Sequence, residues 1–375
     1  MTSENTVISF KVSRQYLLDV LQPVVSVVEK RQTLPILSNV LLSVSESNQQ
    51  LLITATDLET EMRGIVPLSA CELGGDVTVP ARKLVDIIKS LPDDADVVMS
   101  VQKEKLFIRS GRSKFSLSTL PAVEFPSIEE GPSVLEFELP AATLRHLINK
   151  THFAMAHQDV RYYLNGILIE MDGATFRTVA TDGHRLAMVE TALPANSHQH
   201  QFILPRKGIL ELMRFMQTED DEQLGVTLGS NHCRIMTARF IFTSKLIDGR
   251  FPDYNKVIPK TGDKTLVIEK DVLKHMLARV SILCNEKFKG IHFHLSSRTL
   301  KITASNPEHE QAEEEIEVDY EGESFDIGFN VKYLLDILSV IDKQVMFTFK
   351  DANSSVLVRD NDADDACYVV MPMRI

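Results

Sequence analysis

The stretch VPARKLVDIIK at residues 79–89 recurs twice, as LPRKGILELMR at residues 204–214 and as FNVKYLLDILSV at residues 329–340. Consecutive copies are offset by 125 residues, counted between their central apolar residues: Leu84, Ile209 and Leu334. Apolar residues within each copy recur at helical spacing, which predicts three amphipathic helices. The fixed interval between them indicates a repeated unit.

Each predicted helix begins with basic residues, although the helix dipole favours acidic side chains in a first turn. These residues are Arg82 with Lys83, Arg206 with Lys207, and Lys332. A solvated surface would explain one such helix, but three equivalent copies favour a shared function. An acidic residue recurs at the same interval, and the pattern alone assigns it no role: Asp86, Glu211 and Asp336.

The remaining sequence of each unit follows the same repeat. Residues 7–21, 135–148 and 266–277 each predict a short strand followed by a helix, with Leu17, Leu144 and Leu273 in register. Alternation of apolar and polar residues predicts a strand meander after each of these helices: residues 39–44, 50–56, 166–171, 175–180, 290–295 and 299–304. Further strands are predicted after each second helix: residues 96–101, 105–110, 114–118, 224–228, 234–237, 239–245, 345–350, 355–359 and 366–371.

Two helices and two groups of strands in about 125 residues predict an α+β domain with helices on one side of antiparallel sheet. This period exceeds the 20–50 residues of a solenoid repeat, so three globular domains in a row fit better. We predict domains at residues 1–130, 131–260 and 261–375.

Composition limits the class of protein. A chain of 375 residues suggests two or three domains, and 44% hydrophobic residues can fill their cores. No run of about 18 apolar residues and no signal-peptide pattern occur, so we expect a cytoplasmic protein without a membrane span. Four scattered cysteines without a CxxC pair predict reduced, buried thiols: Cys71, Cys233, Cys284 and Cys367.

The charges are distributed unevenly along the chain. The net charge is −12, and acidic residues concentrate outside the predicted helices, at residues 57–61, 93–96, 219–222, 308–323 and 360–365. Basic residues instead collect in or beside the helices. Such a chain would repel polyanions over most of its surface and attract phosphates, without sequence preference, along one face.

Few residue patterns suggest catalysis or metal binding. Asp182 and His184 in TDGHRL could perform acid–base chemistry in a hydrolase, but no nucleophile motif or P-loop accompanies them. The histidine pairs at residues 198–200 and 292–294 could face a metal, yet no further ligand has a diagnostic spacing. We therefore predict no catalytic residues, no metal and no cofactor.

Several longer strings resemble one family, the bacterial DNA polymerase III beta subunit or replicative sliding clamp. They span nearly the whole chain: KRQTLPILSNVLL at residues 30–42, SGRSKFSLSTLP at 110–121, MAHQDVRYYLNG at 155–166, TVATDGHRLA at 178–187, FTSKLIDGRFPDY at 242–254, NEKFKG at 285–290 and YVVMPMRI at 368–375. The resemblance implies a DNA clamp fold in which two chains associate head to tail as a closed six-domain ring, with helices around the hole.

The resemblance also implies a homodimer interface between the first domain of one chain and the third domain of the other. On the first domain it involves Lys83, Lys105, Arg112, Lys114, Phe115 and Leu117. On the third domain it involves Ile282, Leu283, Glu308, Glu310, Glu313 and Glu314. The basic strands of the first unit and the acidic run of the third are complementary in charge, although a solvated loop would also explain the acidic run.

Contacts with double-stranded DNA, and some with single strands, are implied for Arg31, Arg82, Gln158, Tyr162, Tyr163 and Lys207. Their side chains suit phosphate contact and base stacking rather than sequence readout. Tyr162 and Tyr163 could equally be core residues.

A hydrophobic cleft between the second and third domains is implied as the site for short linear peptides. The implied partners are the DNA polymerase III alpha subunit, the clamp loader delta subunit, other polymerases and repair proteins. The implied residues are Arg161, Leu164, Thr181, Gly183, His184, Arg185, Leu186, Pro252, Lys256, Val257, Asn330, Tyr333, Ser355, Val370, Met371, Pro372, Met373 and Arg374. Lys256 stands where relatives often have Arg and Ile375 where Leu is common, so peptide preference could differ. The rival hypotheses are the hydrolase and a plain structural repeat protein.

Overall fold

A computed structural model describes residues 6–29, 34–128, 131–193, 199–216 and 223–374. Arg31, His198 and Ile375, and the predicted boundary at residue 130, lie outside these ranges. The chain divides into two compact units, Met1–Leu144 with Lys207–Leu246, and Arg145–Arg206 with Ile247–Ile375. The predicted domain boundaries at residues 130 and 260 stay predictions.

The described ranges contain six α-helices: α1 (Arg14–Val25), α2 (Ala81–Ser90), α3 (Ala141–Thr151), α4 (Arg206–Met216), α5 (Lys270–Val280) and α6 (Val331–Leu338). The three repeated stretches form α2, α4 and α6. Helix α2 buries Ala81, Leu84, Val85 and Ile88, which the helical period brings to one face. The side chain of Asn330 caps α6 by accepting a hydrogen bond from the Lys332 amide at 3.0 Å.

The first unit contains two antiparallel sheets. Its strands are β1 (Thr6–Ser13), β2 (Asn39–Ser45), β3 (Gln50–Thr56), β4 (Thr60–Pro67), β5 (Ala70–Leu73), β6 (Gly75–Pro80), β7 (Asp96–Gln102), β8 (Lys105–Ser110), β9 (Ser113–Ser118), β10 (Ser133–Pro140), β15 (Gln223–Gly229), β16 (His232–Met236) and β17 (Phe240–Lys245). The sheet orders are β5-β1-β7-β8-β9 and β10-β15-β16-β17-β4-β3-β2-β6. Helix α1 packs against α2 and over β3 and β4.

The second unit repeats this organisation. Its strands are β11 (Gly166–Asp172), β12 (Thr175–Thr181), β13 (Arg185–Ala192), β14 (Gln199–Pro205), β18 (Lys264–Glu269), β19 (Gly290–Ser296), β20 (Thr299–Ser305), β21 (Gln311–Glu317), β22 (Phe325–Asn330), β23 (Gln344–Phe349), β24 (Val356–Asp360) and β25 (Ala366–Val370). The sheet orders are β14-β11-β12-β13-β25-β24-β23-β18 and β21-β20-β19-β22. Helix α5 packs against α6 and over β20 and β21.

Each eight-stranded sheet joins strands that belong to two successive repeats. In the first unit β17 pairs antiparallel with β4, and in the second unit β25 pairs antiparallel with β13. Strands β4, β13 and β21 each complete a meander, and the sequence had predicted only the first two strands of each. The acidic run around Glu313 is therefore a strand at a sheet edge and not a loop.

The described cysteines are all free thiols, and three of them are buried. Burial raises the pKa of the Cys233 thiol to about 12. No helix within the described ranges is long and apolar enough to cross a membrane.

Candidate functional site

A cavity of about 180 Å³ lies in the second unit, close to where β13 begins and β25 ends. Its walls come from the turn at residues 161–164, the β12–β13 turn, the segment at residues 252–257 and the end of β25. Its lining residues are Arg161, Tyr163, Leu164, Thr181, Gly183, His184, Arg185, Leu186, Pro252, Tyr254, Val257, Val369 and Met371. Most of these atoms are apolar, and Arg161 and His184 contribute polar groups at the wall.

The β12–β13 turn is shaped by Asp182 and Gly183. The Asp182 carboxylate accepts hydrogen bonds from the amides of His184 at 2.9 Å and Arg185 at 3.0 Å. Gly183 has φ +89, a conformation that costs a residue with a Cβ free energy. A Cβ at this position would also lie 2.9 Å from Nη2 of Arg161. The positive φ therefore favours glycine at this turn, and a Cβ would in addition make the Arg161 guanidinium shift.

Arg161 is held at the cavity by Asp159. Its Nε and Nη2 donate to the Asp159 carboxylate at 3.0 and 2.9 Å, and Nη2 also donates to the Asp182 carbonyl at 3.2 Å. The hydrogen bonds that Asp159 accepts from Arg161 lower the pKa of Asp159 to about 2. The Arg161 side chain is 47% exposed, so part of the guanidinium faces solvent beside the apolar cavity.

Tyr254 also lines the cavity, and the residue is 5% exposed. Its hydroxyl donates to the Glu170 carboxylate and accepts a hydrogen bond from Nη1 of Arg177 at 3.0 Å. Arg177 also pairs with Glu190 at 2.7 Å. Burial, followed by the contact with Glu170, raises the pKa of Tyr254 to about 12. This network fixes the segment at residues 252–257 against β11 and β12.

Arg185 is 8% exposed, so its guanidinium is buried beside the cavity. Nε donates to Asp182 at 3.1 Å, Nη1 to Asp336 at 2.6 Å and Nη2 to the Phe153 carbonyl at 2.5 Å. A buried cation is tolerated because each nitrogen has an oxygen partner. Asp182 thus serves the turn and Arg185, which gives it a structural role in place of the acid–base role of the hydrolase hypothesis.

The C-terminal segment is attached at two points. The Met371 amide donates to the His184 carbonyl at 2.9 Å, and the Met373 amide donates to the Gly328 carbonyl at 2.8 Å. These hydrogen bonds hold the segment against β13 and β22. Met371 is 37% exposed and lines the cavity.

The cavity contains ten of the eighteen residues predicted for the cleft. Those outside its lining are Lys256, Asn330, Tyr333, Ser355, Val370, Pro372, Met373 and Arg374. Val370 is fully buried because alternate residues of a strand face opposite sides of the sheet, which turns Val369 and Met371 to the cavity. The Lys256 side chain is 81% exposed and pairs with Asp253 at 3.2 Å.

The cavity lining includes three residues that were not among those predicted for the cleft: Tyr163, Tyr254 and Val369. Tyr163 had been predicted as a DNA contact, with a core residue as the alternative. Side chains alternate between the two faces of a strand, so counting back two residues from Met371 would have selected Val369. Tyr254 lies in the GRFPDY string, where no residue pattern predicts burial of the ring.

The predicted DNA-contacting residues occupy different settings. Tyr162 is 57% exposed and lies edge-on to Tyr163, with ring centroids 5.8 Å apart. Gln158 has φ +58 in the same loop. In the first unit, Arg82 is exposed on α2, whereas Lys207 forms ion pairs with Glu29 and Asp57.

The residues predicted for the dimer interface lie at two sheet edges and near them. Strand β9 ends one sheet of the first unit and contains Lys114, Phe115 and Leu117, while β21 ends one sheet of the second unit and contains Glu313 and Glu314. Lys105 begins β8, Arg112 lies in the β8–β9 turn, and Lys83 is exposed on α2. Near β21, Ile282 and Leu283 belong to a turn after α5, and Glu308 and Glu310 precede the strand. Ile282 is 77% exposed.

Models of one protein family match the chain in three successive parts. The N-terminal domain of the DNA polymerase III beta subunit matches residues 8–129, its central domain residues 138–253 and its C-terminal domain residues 255–374. The beta sliding clamp of Pseudomonas aeruginosa is 54% identical over 98% of this chain and 100% of its own length. That of Escherichia coli (strain K12) is 49% identical over the same shares of the two chains.

Solved structures agree with these matches. The P. aeruginosa sliding clamp bound to griselimycin has a TM-score of 0.95 at 54% identity, over 98% of this chain and 100% of that one. The Bartonella birtlesii clamp bound to griselimycin has a TM-score of 0.94 at 36% identity and the same coverage. The chain therefore belongs to the DNA polymerase III beta subunit family, the beta sliding clamps. It has the three-domain α+β clamp fold and is a non-catalytic processivity factor of DNA replication.

Proposed function

We propose that two copies of this chain close head to tail into a six-domain ring that encircles duplex DNA, with the boundaries predicted at residues 130 and 260. The cavity of the second unit then receives short linear peptides of proteins that work on that DNA. The observation that carries this proposal is the pairing of strands within each unit, because it leaves two strands at sheet edges, β9 and β21, that correspond to the two members of each internal pair.

The two internal junctions use the same strands of the repeat. The last strand of one repeat pairs with the third meander strand of the preceding repeat, as β17 does with β4 and β25 with β13. In these pairs Phe242 lies opposite Met62, and Tyr368 lies opposite Ala187. The equivalent strands left at sheet edges are β9 and β21. Head-to-tail pairing of β9 with β21 from another copy would form a third junction of the same type.

The internal junctions also support a particular register for the proposed third junction. Phe115 is the third residue after the two-residue β8–β9 turn, and Phe242 is the third after the equivalent turn before β17. Ala312 pairs with Ala304 as Ala187 pairs with Ala180. Phe115 of one copy should therefore lie opposite Ala312 of the other.

This register brings opposite charges together. With Phe115 opposite Ala312, the neighbouring pair is Lys114 with Glu313, and Arg112 lies diagonally from Glu313 and within reach. Glu310 precedes the same strand. Opposite charges across the junction would favour this register and disfavour slipped ones.

The cavity supports a peptide-binding role. It combines apolar walls with the exposed guanidinium of Arg161 and the flexible side chain of Met371, which suits several different peptides. Two relatives have been solved bound to griselimycin. The proposed partners are the DNA polymerase III alpha subunit, the clamp loader delta subunit, other polymerases and repair proteins.

DNA contacts are proposed for Arg31, Arg82, Gln158, Tyr162, Tyr163 and Lys207. Cationic and aromatic side chains support sequence-independent attraction to phosphates and stacking on single-stranded bases. We also propose a cytoplasmic location, where bacterial DNA is replicated, and fractionation of cells would test it.

Loading onto circular DNA tests the ring. A clamp loaded onto nicked circular DNA should remain bound through gel filtration and should leave when the circle is linearised. Equal loss from both forms would contradict topological retention, and a monomeric mass in sedimentation would contradict the dimer.

A further inference from the structure

An acidic side chain occupies the same position in all three second helices: Asp86, Glu211 and Asp336. In the first unit Glu211 is 7% exposed and accepts hydrogen bonds from Ser26 Oγ at 2.8 Å and Arg214 Nη1 at 2.6 Å. It thereby connects α4 to the end of α1. In the second unit Asp336 accepts from Arg185 Nη1 at 2.6 Å instead, and Arg185 lines the cavity.

Arg185 lies between two aromatic rings. Its guanidinium carbon is 4.6 Å from the ring centroid of Tyr333 and 5.2 Å from that of Phe153. The Tyr333 ring in turn stacks on His184, with centroids 6.4 Å apart and planes 19° apart. The four side chains thus stack in the order Phe153, Arg185, Tyr333, His184. Asp336 holds one edge of the guanidinium in this stack.

The equivalent position in the first unit lacks this stack. Gly208 precedes Glu211 by three residues, as Tyr333 precedes Asp336. A Cβ on Gly208 would lie 2.5 Å from Ser244 Oγ, so α4 lies directly against β17. In the second unit the ring of Tyr333 and the guanidinium of Arg185 fill the corresponding space beside the cavity.

The charges around Arg185 determine what this wall presents to a ligand. Asp182 and Asp336 together offset its positive charge, and three oxygen atoms accept from its three nitrogens. An Asn at position 336 would keep an acceptor for Nη1 but lose the negative charge. Because the hydrogen bond would then no longer join two opposite charges, Arg185 would be held less firmly. Movement of Arg185 would displace Tyr333 and His184.

We propose that Asp336 is a positioning residue of the peptide cleft. By anchoring Arg185, on which Tyr333 and then His184 stack, it holds the cavity wall formed by Arg185 and His184 in the arrangement that accepts apolar peptide side chains. The inference rests on the proposed peptide-binding function of the cavity and assigns a role to the acidic position of the third repeat.

Binding of griselimycin to the full-length chain tests this role, with three variants in parallel. Asp336→Asn should weaken griselimycin affinity at least tenfold, and Asp336→Glu, which keeps the charge, should restore most of it. Glu211→Gln changes the equivalent residue of the first unit, which contacts Ser26 and Arg214 and not Arg185, and it should leave affinity unchanged. Melting temperature and sedimentation of each variant would separate unfolding from altered binding.

NMR of the His184 ring provides a readout specific to the wall. Its resonances should shift in Asp336→Asn and stay in place in Glu211→Gln. Unchanged affinity in a folded Asp336→Asn variant, or equal losses in Asp336→Asn and Glu211→Gln, would overturn the inference. If the unsubstituted chain did not bind griselimycin, the proposed cleft function would itself fail and this inference with it.

Discussion

The ammonium group of Lys207 forms an ion pair with the carboxylate of Asp57, whose side chain is 3% exposed. Glu29, whose side chain is 48% exposed, forms a second ion pair with the same ammonium group. Burial lowers the pKa of Lys207, but the hydrogen bonds to Asp57 and Glu29 outweigh it, and the net pKa is raised. Lys207 therefore remains charged, and two carboxylates compete with any phosphate for it.

Glu29→Gln should strengthen DNA binding, because it removes the more exposed of these two competitors. If Lys207 then contacts one additional phosphate, the slope of log affinity against log salt should become more negative by about 0.9. Measurement of binding to linear duplex DNA at several salt concentrations would show this. Glu59→Gln is a matched control, since it changes the net charge equally two residues from Asp57. Equal slopes for the two variants would argue against competition at Lys207.

Lys114→Glu should weaken the proposed dimer, because it places like charges opposite each other on β9 and β21. We expect at least a tenfold rise in the dimer dissociation constant measured by sedimentation. Adding Glu313→Lys should restore much of the affinity by exchanging the charges. Failure of the double variant to recover would indicate a different register.

Gly183→Ala should damage the cleft, because a Cβ at φ +89 costs about 1–2 kcal/mol and would also displace Arg161. We expect lower stability in denaturant unfolding together with weaker griselimycin binding. Gly173→Ala is the control, since Gly173 has φ +61 and open space around its Cβ position. That variant should lose comparable stability and keep its affinity for griselimycin.

Deletion of residues 371–375 should abolish griselimycin binding and leave the dimer intact. The deletion removes Met371 from the cavity wall and the hydrogen bond from the Met373 amide to Gly328. It leaves β9 and β21 complete. Calorimetry and sedimentation of the same sample would measure both properties, and a monomeric product would mean that the interface is misplaced.

The contact between Asp159 and Arg161 should persist at mildly acidic pH. Asp159 accepts hydrogen bonds from Arg161, and these lower the pKa of Asp159 from 3.8 to about 2. A lowered folded-state pKa means that the contribution to stability is present above pH 3.8 and is lost as the pH falls through about 2. NMR titration of the Asp159 carboxyl carbon would give this pKa, and Arg161→Gln should move it towards its ordinary value.

The repeated helices were predictable because their pattern is local. Leu84, Val85 and Ile88 fall on one face of any helix with this sequence, whatever surrounds it. The clamp fold followed from strings that resemble one family, and the family models confirm it. The role of the turn at Asp182 and Gly183 was not predicted, because it depends on the position of Arg161.

The remaining features depend on contacts between distant parts of the chain. The sequence predicted only two meander strands in the third unit and left a solvated loop as the alternative explanation of the acidic run. Glutamate has a low preference for strands, and pairing with β20 is what places Glu313 in the third strand, β21. Burial of Tyr254 depends on Glu170 and Arg177, which are far from it in sequence. The partner of Asp336 could not be predicted for the same reason.

The pairing of β17 with β4 and of β25 with β13 would affect how the proposed ring opens. Both junctions join strands of one continuous chain. If such a pair of strands separates, the chain keeps the two strands near each other at a high effective concentration, which favours their pairing again. A junction between β9 and β21 of separate chains has no tether of its own. Of the three junctions in one proposed chain-to-chain repeat, this one should open first under force or dilution, and we propose it as the entrance for DNA.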